Sequence, residues 1–139
     1  MTQANVNGSC LCGAVKYKVS GDVLRFYHCH CQRCRKATGT GHASNLLVSP
    51  VTSITWLQGE DLLVKYKVPE AERYYNCFCN KCGSPMPRVV PELDAVLIPA
   101  GSLDNNPPIH PQGHIFWDSR AEWSCEAGDA PHYSEYPPQ

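Results

Sequence analysis

Cys77-Phe78-Cys79-Asn80-Lys81-Cys82-Gly83 is the stretch on which the reading of this chain turns. Its CxxC step is half of a tetrahedral metal site, because such a turn lets two thiolates converge while backbone N–H groups point at the sulfurs. The other half must come from elsewhere in the chain. Cys10-Leu11-Cys12-Gly13 is a CxC, and Cys29-His30-Cys31-Gln32-Arg33-Cys34 is a second CxCxxC. Cys125 stands alone near the C-terminus, which accounts for all nine cysteines in 139 residues.

Counting ligands suggests two zinc ions. Cys10 and Cys12 joined to Cys79 and Cys82 make four thiolates, a structural shell that clips the N-terminal region to the second knuckle. Cys29, Cys31 and Cys34 offer three, and three protein ligands with an open position are the catalytic pattern. Four thiolates leave two net negative charges on the site and three leave one, so the three-ligand site is the stronger Lewis acid. Three plainer readings stay open. Cys77 could complete the Cys29 group and make both sites structural, some cysteines could be a redox pair without metal, or the groups could be inert and buried. Cys125 reads as an ordinary thiol.

The rest of the composition narrows the function classes. Twelve Lys and Arg against thirteen Asp and Glu give a net charge of −1, which argues against nucleic-acid binding driven by a basic surface. No run approaches the roughly 20 apolar residues of a membrane span, so no membrane partner is expected. Met1-Thr2-Gln3-Ala4-Asn5 lacks the basic and apolar regions of a secretory signal, and a cytoplasmic location is the expectation. In that compartment close cysteine pairs favour metal or redox chemistry over disulfides, and an odd total leaves at least one unpaired.

Short alternating runs predict a mainly β chain. Val15, Tyr17 and Val19 alternate with Lys16 and Lys18. Gly21-Asp22 reads as a turn and Leu24 to Tyr27 as a return strand. Arg35 to Gly39 suggests one helical turn. Further strands are expected at Ala43–Val48, Val51–Leu57, Leu62–Lys67, Tyr74–Phe78, Met86–Val90 and Ala95–Ile98, with 12 prolines and 10 glycines as breakers. Asn105 to Gly113, rich in Pro, Asn and His, reads as a long surface loop able to cover a site, and the tail from Gly128 as loosely packed.

The motifs are specific enough to carry a resemblance. Gly8-Ser9-Cys10-Leu11-Cys12-Gly13, Cys29-His30-Cys31-Gln32-Arg33-Cys34-Arg35-Lys36, Phe78-Cys79-Asn80-Lys81-Cys82-Gly83-Ser84 and His114-Ile115-Phe116-Trp117-Asp118-Ser119-Arg120-Ala121 resemble the glutathione-dependent formaldehyde-activating enzyme (GFA) family, also called centromere-protein-V-like. The resemblance implies an Mss4-like fold of short antiparallel strands stapled by zinc, as a single domain over 1–139 with its core at about 8–136. It places structural zinc on Cys10, Cys12, Cys79 and Cys82 and catalytic zinc on Cys29, Cys31 and Cys34. It implies a carbon–sulfur lyase-type activity on a small-thiol adduct, the named reaction being condensation of glutathione with formaldehyde to S-(hydroxymethyl)glutathione. Cys77 is not required by the family pattern.

Glutathione carries two carboxylates, so Arg33, Arg35, Lys36 and Arg120 are the candidate substrate-binding cations, weighed against a plain role as solvated surface charges. His28 and His30 flank a ligand and read as outward or second-layer groups. His110 and His114 border the Pro-rich loop and could shuttle a proton if it closed. Two other classes compete with the enzyme. A non-catalytic zinc module for protein interaction would need Cys77 or Cys125 to close the second shell. A zinc-containing thiol reductase would need Cys125 as a free nucleophile, next to the unfavourable anion Glu126.

Overall fold

The computed structural model describes residues 2–124 and 130–138. The alternation that begins at Lys16 does not turn at Gly21. It runs on as one strand, β2 (Lys16–Cys29), with β1 (Gln3–Ser9) antiparallel beside its first half. Gly21 is there for close approach, since a Cβ would fall on the Ser49 carbonyl oxygen of the neighbouring strand. A bulge between Val23 and Arg25 shifts the register, so Tyr17, Val19, Val23, Phe26 and Cys29 all reach buried positions. β2 therefore crosses the molecule and delivers Cys29 at its far end.

Both flanks of β2 are shared between two partners. On one flank lie β3 (Ala43–Ser49) against Asp22–Cys29 and β4 (Ile54–Gln58) against Lys16–Val19. Pro50 interrupts them, and a 3-10 turn over Val51–Ser53 delays β4 by three residues relative to the expected strand start at Val51. The Val51 N–H is spent on Asp94 Oδ1 instead of a ladder. β5 (Leu63–Lys67) and β6 (Tyr75–Cys79) form a separate two-stranded sheet. β7 (Arg88–Val90) and β8 (Ala95–Pro99) extend the main sheet, giving the order β1-β2-β3-β8-β7. β9 (Gly113–Ile115) lies parallel to Tyr27–Cys29 on the flank that β1 leaves open. The architecture is mainly β and antiparallel, as expected. Among the described residues no helix is long and apolar enough to cross a membrane.

Two strands were not foreseen. β1 turns Ala4, Val6 and Gly8 inward and Asn5 and Asn7 outward, an alternation too low in β-branched residues to stand out. β9 is held by three paired residues, with Gln112 N–H donating to Phe26 O at 2.7 Å and His30 N–H to Ile115 O at 3.0 Å. The expected loop before it is tied to β1 at its start, where Asn105 Oδ1 accepts from Asn7 N–H at 2.9 Å.

The core joins β1, β2, β3 and β8 to the knuckle-bearing β6 through Val6, Tyr17, Leu46, Val48, Cys79, Met86, Val96 and Ile98. Tyr17 is fully buried, with its hydroxyl 2.6 Å from Ser102 Oγ, and burial pushes its pKa up to about 12. Gly8 makes that contact possible: a Cβ on it would collide with the Tyr17 hydroxyl and the Ser102 carbonyl oxygen. Gly8→Ala is therefore expected to destabilise by about 1–3 kcal/mol in a denaturant titration. Gly101→Ala, whose Cβ meets nothing within 4 Å, should stay within about 0.5 kcal/mol of wild type. Equal midpoints for the two variants would overturn this account of the packing.

Candidate metal centres

Cys10, Cys12, Cys79 and Cys82 bring their sulfurs within 4.8 Å of one another. The Cys10–Cys12 and Cys12–Cys79 sulfur separations are 3.6 and 4.0 Å. A tetrahedron of metal–sulfur bonds near 2.3 Å has edges of about 3.8 Å, so this donor set fits a metal such as zinc. Each half is a tight turn closed by a left-handed glycine. Gly13 N–H donates to Cys10 O at 3.0 Å and Gly83 N–H to Cys79 O at 2.8 Å, with φ of 79° and 76°. Backbone N–H groups reach the sulfurs as expected, from Val15 to Cys10 at 3.3 Å and from Lys81 to Cys79 at 3.4 Å. Ser84 links the halves. Its Oγ accepts from Leu11 N–H at 2.9 Å and lies 3.2 Å from Cys82 Sγ. Donation from the Ser84 hydroxyl and N–H holds the Cys82 thiol down to about 5.

The second group is local. Cys29 ends β2, and Cys31 caps the short helix α1 (Gln32–Thr38), its sulfur accepting the Cys34 N–H at 3.3 Å. That sulfur cap is why the helix begins at Gln32, three residues before the helical turn expected at Arg35. The three sulfurs lie within 4.8 Å of one another. Hydrogen bonds from Cys29 and Cys34 hold Cys31 down to about 2, while Cys29, Cys31 and burial push Cys34 up. Three converging sulfurs are a donor set suited to a divalent metal, whose charge would offset that of the thiolates. Among the described residues no fourth Cys, His, Asp or Glu joins this group. Cys77, the alternative fourth ligand, sits apart on β6 with its thiol pushed up by burial. Cys125 lies outside the described residues.

A cavity of about 710 Å³ lies between the two clusters, with Cys34 on its wall at one end and Cys10 at the other. That volume suits a ligand of tripeptide size. α1, the loop after it, β6, β7 and the Pro99–Ser102 turn supply its walls. Tyr74 and His42 line the end near Cys34. The Tyr74 hydroxyl donates to Cys34 Sγ at 3.8 Å, and burial together with the Cys34 charge raises its pKa above the ordinary phenol range.

Beside the three-sulfur group, four of the chain's six histidines form one cluster. His30 is fully buried, its Nε2 2.8 Å from His114 Nδ1. His28 and His42 stack at 4.1 Å between ring centres. Burial, then the neighbouring imidazoles, push His28 down to about 4 and His30 down as well. Both shifts favour the neutral imidazole at His28 and His30. His110 is exposed and outside the cluster. Of the cations singled out in the sequence, Arg33, Arg35 and Lys36 ride on α1, and Arg120 stacks on Trp117 at 4.4 Å. None of the four lines the cavity. Ser84, His42, Tyr74 and Arg88 were missed as site residues. Only Tyr74 carried a local signal, as the first aromatic before the second CxCxxC.

The comparisons with known proteins run through the same residues. The model of the glutathione-dependent formaldehyde-activating enzyme (GFA) family matches residues 5–119. A Halomonas elongata protein named "Putative glutathione-dependent formaldehyde-activating enzyme" is 28% identical over 129 residues, with 85% of this chain and 78% of that protein covered. A Rhodobacter sphaeroides protein of known crystal structure shares the fold, with a TM-score of 0.58 at 22% identity over 78% of this chain and 98% of its own. Since the family match spans residues 5–119 and takes in both cysteine clusters, the chain belongs to the GFA family.

Proposed function

We propose that this chain, acting as one domain in the cytoplasm, is a zinc-dependent carbon–sulfur lyase-type enzyme. Its reaction joins a small thiol to an aldehyde and runs in reverse, with glutathione and formaldehyde as the pair the family name supplies. One observation carries the reading. The four-sulfur group has a complete ligand set, whereas among the described residues no fourth ligand joins the three-sulfur group, and Cys34 faces a cavity large enough for a substrate. That contrast supports a structural site at Cys10, Cys12, Cys79 and Cys82 and a catalytic one at Cys29, Cys31 and Cys34.

The free thiol has a pKa of about 8.5 and is mostly protonated at neutral pH. Zinc bound by the three sulfurs supplies the positive charge that stabilises an incoming thiol as its thiolate. The substrate sulfur then forms a bond to the carbonyl carbon, the C=O π electrons move to oxygen, and that oxygen takes a proton. Breaking the same C–S bond returns thiol and aldehyde. Tyr74, kept protonated by its raised pKa, holds Cys34 in place through its hydroxyl. His42 on the cavity wall is the group suited to give and take the proton. Arg33, Arg35, Lys36 and Arg120 stand outside the cavity and draw an anionic thiol toward this end of the molecule.

Three measurements test the reading. Protein purified without added zinc should carry two zinc ions per chain, and one or none would sink the two-site assignment. Cys79→Ala should cost on the order of 3 kcal/mol or leave the chain unfolded, while Cys31→Ala should cost about 1 kcal/mol. If Cys31→Ala melts first, the structural and catalytic sites are reversed. Exchange spectroscopy on an equilibrium mixture of labelled formaldehyde and glutathione gives the interconversion rate directly. Wild type should raise it well above the spontaneous rate and Cys31→Ala should return it there; no acceleration by wild type rejects this activity.

A further inference from the structure

Two charged side chains line the cavity among the described residues, Arg88 and Asp104, besides its cysteines, His42 and Tyr74. Asp104 already has a partner, the Ser9 hydroxyl, 2.9 and 3.0 Å from its two oxygens. Arg88 on β7 is held differently. Its Nη1 donates to Tyr75 O at 2.7 Å, and its guanidinium stacks on Tyr74 at 4.4 Å and on Tyr75 at 5.5 Å. A guanidinium has five N–H donors, and among the described residues one of them is used here. Aromatic stacking orients the plane of the fork without occupying its edge, which is the part that pairs with carboxylate.

Tyr74 fixes where this fork stands. One tyrosine ring carries Arg88 on its face and touches Cys34 Sγ with its hydroxyl. A single phenol therefore bridges the guanidinium, over its face, and the three-sulfur group, at its hydroxyl, and both Arg88 and Cys34 line one cavity. We propose that Arg88 is the specificity residue of this site and recognises a carboxylate on the ligand, so that the substrate class is a thiol bearing a carboxylate about one tyrosine side chain away from its sulfur. This rests on the reading of Cys29, Cys31 and Cys34 as the thiol site. It adds a second point of recognition that simple thiols such as mercaptoethanol cannot meet.

The test separates recognition from chemistry by using a ligand whose sulfur cannot react. S-methylglutathione and its diethyl ester are titrated calorimetrically into the metal-loaded protein, into Arg88→Met, which keeps a side chain over Tyr74 without the charge, and into Arg88→Lys. Wild type should bind the acid about 10- to 100-fold more tightly than the ester, the range of a charge-assisted hydrogen bond. Arg88→Met should lose that preference while its affinity for the ester stays unchanged, and Arg88→Lys should keep part of it. The proposal falls if wild type fails to bind the acid or does not prefer it. It falls equally if Arg88→Met retains the preference, or weakens acid and ester alike as a structural residue would. Should Arg88→Met not fold, the wild-type ratio and Arg88→Lys decide. Acid-selective binding without accelerated exchange of formaldehyde would leave Arg88 standing and reject the catalytic reading. Accelerated exchange without acid selectivity would do the reverse.

Discussion

Four sulfurs drawn from two turns 67 residues apart in the chain cannot ionise side by side without a cation among them. Much of the molecule is arranged to bring them together. β1 leads into the first turn, β6 leads into the second, and Ser84 hydrogen-bonds to both. Cys10 and Cys79 are themselves members of the hydrophobic core. The four-sulfur group and the core are thus one packed unit, and a metal bound there would supplement the limited apolar burial of a chain of this length.

β2 transmits that arrangement to the other cluster. Its first half packs beside β1 near the four-sulfur site, and its last residue is a ligand of the three-sulfur site. The two centres are consequently fixed relative to each other by a single unbroken strand. The space left between them is the cavity, bounded by residues from both. The walls of that cavity borrow their rigidity from the four-sulfur end of the molecule.

The cysteine grouping and the β class were legible because they are local: spacing within six residues defines a knuckle, and period-two alternation defines a strand. The partition into four and three sulfurs followed from valence alone. Reading failed where long-range packing overrode a local sign. Gly21-Asp22 has turn composition, yet Gly21 serves the close approach of β3. His30 sits in a turn whose neighbours usually face outward, yet β9 docks beside it and buries it. Arg88 and Tyr74 are 14 residues apart, on either side of the second CxCxxC, and no local pattern marks them as one unit.

The contrast in loop size between the clusters has a kinetic meaning. Bringing Cys12 to Cys79 closes a loop of 67 residues, an entropic toll that must be met before the contacts reward it. A metal held there would be captured in a late, global step of folding, and its release would require much of the chain to open. Cys29, Cys31 and Cys34 span six residues and assemble at a helix start. An ion bound by that triad would join or leave by local fluctuation alone, so two metal-loaded centres would exchange on widely separated timescales within one small protein.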